Sequence, residues 1–181
     1  MSVDQFKGSL GGSWYLATYL DDYSKMSVVK PIRYKSDVPA LTKEVVNFLE
    51  KQSGHSVLVL RSDNGTEYLN KDLGDFLKSK GIQHQTTARY TPEQNEAAER
   101  LNRTIMDRVR ALLEDSGLPK ELWAEAAVTA SYIRNRSPAT GRDLVDKTPW
   151  ELIFGKKPDV SGMRILASRP MLWCQGSSGA S

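Results

Sequence analysis

The sequence is poor in the residues that cross-link or ligate small folds. It has one cysteine, Cys174, and two histidines, His55 and His84. A single thiol cannot close an internal disulfide, and these three side chains cannot build a zinc finger. No apolar run approaches the ~18 residues that a membrane-spanning helix needs. The opening MSVDQFKGSL lacks the charged-then-apolar layout of a secretory leader. No internal repeat stands out, and no Pro- or Gly/Ser-rich linker divides the chain in two. Neither sign of charge dominates: 25 Lys and Arg face 22 Asp and Glu, a net charge of +3. The resulting pI near 8.9 permits a polyanionic partner without demanding one.

What is present fits one globular domain. The 181 residues, 39% apolar and 26% charged, are enough to bury a core. WYLATYL (14–20) predicts an interior strand, the DDYSK turn follows, and MSVVKPI (26–32) returns, with Pro31 marking a strand end or a sheet edge. Ser36-Asp37 opens a helix of about 15 residues whose one side carries Val38, Leu41, Val45 or Val46, and Leu49; Gly54 stops it. Val57-Leu58-Val59-Leu60 is wholly apolar and predicts a central strand over 56–61. A helix over about 70–80 ends at Gly81, and a short strand follows at 82–87. Thr91-Pro92-Glu93-Gln94 reads as a capping box opening a helix from 92 to 115. An alanine-rich helix over 119–135 suits close packing, and Thr148-Pro149-Trp150-Glu151 starts a short one. Residues 166–181 lose all periodicity and read as a disordered tail. Strands alternating with helices in this order predict the α/β class, a mixed sheet flanked by helices.

One stretch asks for chemistry. RSDNGTE (61–67) follows the apolar strand and sets a carboxylate, Asp63, on an Asn-Gly turn at a strand's carboxyl end, where open α/β sheets collect ligands. The helix from 92 to 115 offers a second carboxylate near its start, Glu99, with 35 residues, 64 to 98, between them. On a 3.6-residue wheel Ala98, Leu101, Ile105, Val109 and Leu112 form a core stripe. Glu99, Arg103, Met106 and Arg110 run along its border, and Arg100 flanks Glu99 on the exposed side. Carboxylates followed by guanidinium groups on one face are what metal-assisted phosphoryl transfer on nucleic acid needs. Plainer alternatives stand beside this reading: Asp63 as a turn former only, and Arg100, Arg103, Arg108 and Arg110 as a solvated helix face partly neutralised by Asp107 and Glu114.

RSDNGTEYLN, GIQHQTTARYTPEQNEAAERLNRTI, GLPKELWAEAAVTASYIRNRSP and TPWELIFGKKPDVSGMR together resemble the integrase catalytic core of Copia-type LTR retrotransposons, over about residues 9–165. That resemblance implies an RNase H-like fold, an integrase-type nucleotidyltransferase, DNA integration by strand transfer, and Mg²⁺ or Mn²⁺ as cofactor. It implies element ends and target DNA as partners, assembly of several copies, no membrane and a nuclear location. The family carries two aspartates and a glutamate, the last two 35 residues apart, and Asp63 and Glu99 fall on those positions as catalytic metal ligands. By the same matching Asn64, Tyr90, Asn95 and Arg103 lie near the DNA end; Arg100 and Arg110 extend that row.

The family's first aspartate precedes the WYLATYL hairpin on a central strand. Its place would lie ahead of Met1, so the resemblance reads as a core truncated at its N-terminus, with residues 2–7 available as a stub of that strand. Asp4 is the local substitute for the third carboxylate. Glu96 stands where relatives commonly have glycine, and RILASRPMLWCQGSSGAS departs from the family pattern. Two other functions fit the same fold: a DNA-binding domain without catalysis, and a hydrolytic nuclease. His84 is expected on a strand, hydrogen-bonded or pointing outward; Trp14 in the core; Trp123, Trp150 and Tyr132 in packing roles; and Asp21 and Asp22 in their turn.

Overall fold

The computed structural model describes residues 1–62, 65, 70–86, 92–138 and 146–163, with the side chains of residues 2–5 and 92–96 excepted. The tail 166–181, with Trp173 and Cys174, lies outside the described residues, as does Thr91 of the expected capping box. In chain order come β1 (Ser2–Gln5), β2 (Tyr15–Leu20), β3 (Ser27–Ile32), α1 (Val38–Ser53), β4 (Val59–Ser62), α2 (Lys71–Ser79), β5 (Gln83–Thr86), α3 (Pro92–Ser116), α4 (Trp123–Arg136) and α5 (Pro149–Phe154). These follow the order the sequence predicts, with the stub at residues 2–5 forming a strand.

The local causes are the expected ones. Gly54 leaves α1 in the left-handed conformation, φ 71°, which a side chain would strain. Asn70 caps α2 by accepting from the Asp72 N–H at 2.8 Å. Thr148 and Glu151 cap α5 reciprocally, the Glu151 N–H donating to Thr148 at 3.1 Å.

β1, β2 and β3 form an antiparallel sheet in that order, and β4 and β5 form a parallel pair. The expected single mixed sheet is thus built in two pieces. They touch at Met1, whose amino group donates to the Arg61 carbonyl at 3.0 Å. Pro31 sits on β3, whose assigned ladder is to β2, so its missing N–H costs no ladder bond. Helices cover both faces. Leu16 on β2 packs with Leu101, Ile105 and Val109 of α3 and the small Ala124, Ala127 and Ala130 of α4. Its neighbours Ala17 and Tyr19 point the other way, onto Val38, Val45 and Val46 of α1 and Leu73 and Leu77 of α2. The period-two alternation of one strand therefore serves two cores.

Two burial expectations fail. The apolar run Val57–Leu60 is not enclosed: Leu58 is 74% and Val59 43% exposed. β1 is only four residues long and its pairing with β2 ends at Ser2–Thr18. Beyond Met1 a gap opens between Tyr19 and Leu20 of β2 and Val59 and Leu60 of β4, seen as a cavity of about 470 Å³. Trp14 is 48% exposed because it lies one residue before β2 and packs over Gly8, where a Cβ would come 3.1 Å from its ring.

Candidate functional site

The site is built at the carboxyl end of β4, against the first turns of α3. Ser62, the last residue of β4, is buried, and its hydroxyl shares a 2.9 Å hydrogen bond with His84 Nε2 on β5. Arg61 reaches Gln85 of the same strand at 3.2 Å. These cross-strand ties fix the backbone that leads directly into Asp63. His84 is half-buried, and that burial pushes its pKa below the ordinary value of 6.5. It is hydrogen-bonded on a short strand, as expected.

α3 is held across β2 by the Thr18 hydroxyl donating to Asn102 Oδ1 at 2.7 Å. Its buried row is Leu101, Ile105, Val109 and Leu113. Leu113 rather than Leu112 closes that row; Leu112 and Met106 pack partly buried at its edges, and Ala98 is only partly buried. This orientation puts Ala97 and Ala98 on the wall of the cavity that Leu60, Arg61 and Met1 line from the other side. The segments leading into Asp63 and Glu99 thus flank one space.

Glu99 itself is exposed, with no hydrogen bond or ion pair among the described residues. Arg103, one turn on, is likewise exposed, and Arg110 is exposed and pairs with Asp107 at 3.0 Å. Such a surface pair is worth about 0.3–0.5 kcal/mol and leaves the row accessible to a polyanion. Arg100 points around the helix, towards Arg134 of α4 and Lys25 of the β2–β3 turn, lining a second cavity. Asp63, Asn64 and Tyr90 lie outside the described residues; for Asp4 and Asn95 the backbone is placed, on β1 and α3, and the side chains are not described. Asp21 holds its turn by accepting from the Ser24 N–H and hydroxyl at 2.8 and 2.6 Å, and Asp22 pairs with Lys25 at 2.6 Å. Both carboxylates serve the turn. Among the described residues no three His, Cys, Asp or Glu side chains converge on one point, and no helix is long and apolar enough to cross a membrane.

The family description "Integrase core domain" matches residues 1–92. The chain belongs to the integrase core domain family. Among its relatives is the retrovirus-related Pol polyprotein from transposon TNT 1-94 of Nicotiana tabacum, 35% identical over 161 residues, 89% of this chain and 12% of that protein. The corresponding polyprotein from transposon RE1 of Arabidopsis thaliana is 28% identical over 88% of this chain and 11% of its own length. The chain therefore spans about an eighth of the Pol polyproteins it resembles. Of solved structures, the HTLV-2 integrase catalytic core domain in complex with magnesium superposes with a TM-score of 0.61 at 20% identity, covering 84% of this chain and 90% of that one. A chain of the simian T-cell lymphotropic virus intasome in complex with PP2A regulatory subunit B56 gamma gives 0.64 at 20% identity, over 90% of this chain and 57% of that one. The fold is that of retroviral integrase catalytic cores, RNase H-like.

Sequence reasoning did not find the group of Lys25, Arg100, Arg108 and Arg134. Its members come from three elements, and only the four-residue spacing of Arg100, Thr104 and Arg108 on α3 is a local signal.

Proposed function

We propose that the chain is the strand-transfer core of a Copia-type retrotransposon integrase, joining element DNA to target DNA. The observation that carries this reading is the shared cavity between Leu60–Arg61 and Ala97–Ala98, in a chain of the integrase core domain family. It brings the strand end before Asp63 to the helix turn before Glu99. Asp63 and Glu99 would hold Mg²⁺ or Mn²⁺, with Asp4 as the candidate third carboxylate. The exposed carboxylate of Glu99 suits a hard cation, because among the described residues no cationic side chain pairs with its oxygens.

When bound, the metal supplies Lewis acidity and charge neutralisation at the reacting phosphate. The chain's own part is positioning. Arg100, Arg103 and Arg110 hold backbone phosphates along α3, while Asn64, Tyr90 and Asn95 place the DNA end. The 3′-hydroxyl oxygen of the element end bonds to a target phosphorus. The bond from that phosphorus to the target's 3′ oxygen breaks, and the released oxygen takes a proton. The HTLV-2 core is described in trimeric and dimeric forms, and the simian virus chain within an intasome. We extend assembly of several copies on DNA, in the nucleus, to this chain.

The test is strand transfer, or its reversal on a branched substrate, with Mg²⁺ or Mn²⁺. We expect joined product from the parent chain and at least a ~100-fold loss in Asp63→Asn and in Glu99→Gln. Salt-dependent DNA binding without joined product would reduce the chain to a binding domain. Cleavage of an RNA–DNA hybrid without joining would make it a nuclease.

A further inference from the structure

The second cavity, of about 350 Å³, lies on the opposite flank of α3 from the Glu99–Arg103–Arg110 row. Four cationic residues line it: Arg100 and Arg108 from α3, Arg134 from α4, and Lys25 from the β2–β3 turn. No Asp or Glu is among its described lining residues. Lys25 already pairs with Asp22 outside the cavity, so its charge is partly answered. The two deeper guanidinium groups are not. Arg134 Nη1 donates to the Lys25 carbonyl, a neutral partner. Arg108 Nη1 is buried with no hydrogen-bond partner among the described residues. Burial and the neighbouring Arg108 charge both lower the pKa of Arg134, as expected for like charges with nothing between them.

Two such forks without a carboxylate are unfavourable as they stand, because Arg108 Nη1 is buried without an acceptor among the described residues and the two charges repel. Guanidinium groups match the oxygens of phosphate in pairs, and an anion between them would satisfy both deficits together. We propose that this cavity is a binding site for a phosphate-class anion, a phosphate group whose oxygens are held by Arg108 and Arg134 with Arg100 and Lys25 at its mouth. The site uses neither Asp63 nor Glu99, and Arg100 at its mouth is the one residue it shares with the phosphate-holding row proposed for strand transfer.

Inorganic phosphate is the probe, added to the full chain at pH 7.5 against sodium chloride of equal ionic strength. At about 20 mM phosphate we expect a melting temperature about 4 °C above the chloride control, the shift given by a millimolar site in a chain of this size. Arg108→Gln should lose that gain, and Lys78→Gln, an exposed charge on α2, should keep it. Should Arg108→Gln fold poorly, guanidinium NMR signals of the parent chain decide instead: those of Arg108 and Arg134 should move on phosphate titration and stay still with chloride. A short DNA duplex added to the phosphate-loaded chain then separates the sources. Displacement of phosphate assigns the site to a nucleic-acid backbone, and simultaneous binding assigns it to a free anion; either upholds the site. Equal effects of phosphate and chloride, or an undiminished gain in Arg108→Gln, would overturn it. Because no metal or joining step enters the measurement, failure of strand transfer leaves this result unaffected.

Discussion

β2 and the apolar run 57–60 that leads into β4 read almost alike in sequence, YLATYL against VLVL, yet the fold treats them differently. β2 has β1 and β3 along its two edges and helices on both faces, and residues 16–19 are buried. β4 has β5 on one edge and only Met1 at the other, and Leu58 beside it stays 74% exposed. Hydrophobicity states what a segment can bury; neighbours decide what it does bury. The functional regions follow the same division. α3 is seated on the well-knit β1–β3 unit, whereas the strand that precedes Asp63 in sequence belongs to the more open β4–β5 pair.

The sharpest way to break that contrast is to truncate one leucine on each side. Leu16 is 1% exposed between α3 and α4, so Leu16→Ala should cost about 3 kcal/mol, the transfer term plus a cavity that the alanine-rich interface cannot collapse into. Leu58→Ala should change stability by no more than about 0.5 kcal/mol. Urea unfolding of both variants checks the pair. Equal losses would mean that β4 is enclosed as well as β2.

A smaller effect is expected where α4 meets the outer strand. Asn135 is buried, and its amide serves the backbone of Ser27 as a strand would: the Ser27 N–H donates to Oδ1 at 2.9 Å and Nδ2 donates to the Ser27 carbonyl at 2.7 Å. Asn135→Ala leaves the Ser27 N–H buried without this acceptor and should cost about 2 kcal/mol. Asn135→Asp keeps the acceptor, loses the donor, and adds a buried charge, so it should not rescue. If Asn135→Ala unfolds like the parent, the β3 edge is held by packing alone.

These cases show what the sequence could and could not convey. Element order, the Gly54 and Gly81 stops, the Thr148 cap and the core row of α3 were legible because each rests on local chemistry or a 3.6-residue period. The exposure of Leu58 was not, since it depends on where β1 stops pairing, and neither was that of Trp14, which lies just outside its strand. Glu99 could be singled out from its helix face and its distance from Asp63. The Arg108–Arg134 pair could not, because the two arginines lie 26 positions apart and meet only when α3 packs on α4.

The smallest expected effect probes the β4–β5 side directly. His84 has its pKa lowered by burial, so the folded chain binds its proton less readily than the unfolded one. The sign follows from that inequality. Above the ordinary value of 6.5 the ring is neutral in both states and contributes no pH dependence. Below it the unfolded chain gains the proton first, and stability declines as pH falls towards and through the folded value. Glu50, held below its ordinary 4.5 chiefly by its hydrogen bond from Lys80, contributes stability that is lost only at more acidic pH, so its effect does not overlap. Urea unfolding at about pH 7.5, 6.5 and 5.5 should therefore show a modest decline in the parent chain that His84→Gln removes, since glutamine can still meet the Ser62 hydroxyl without titrating. A decline that persists unchanged in His84→Gln would place the titrating group elsewhere.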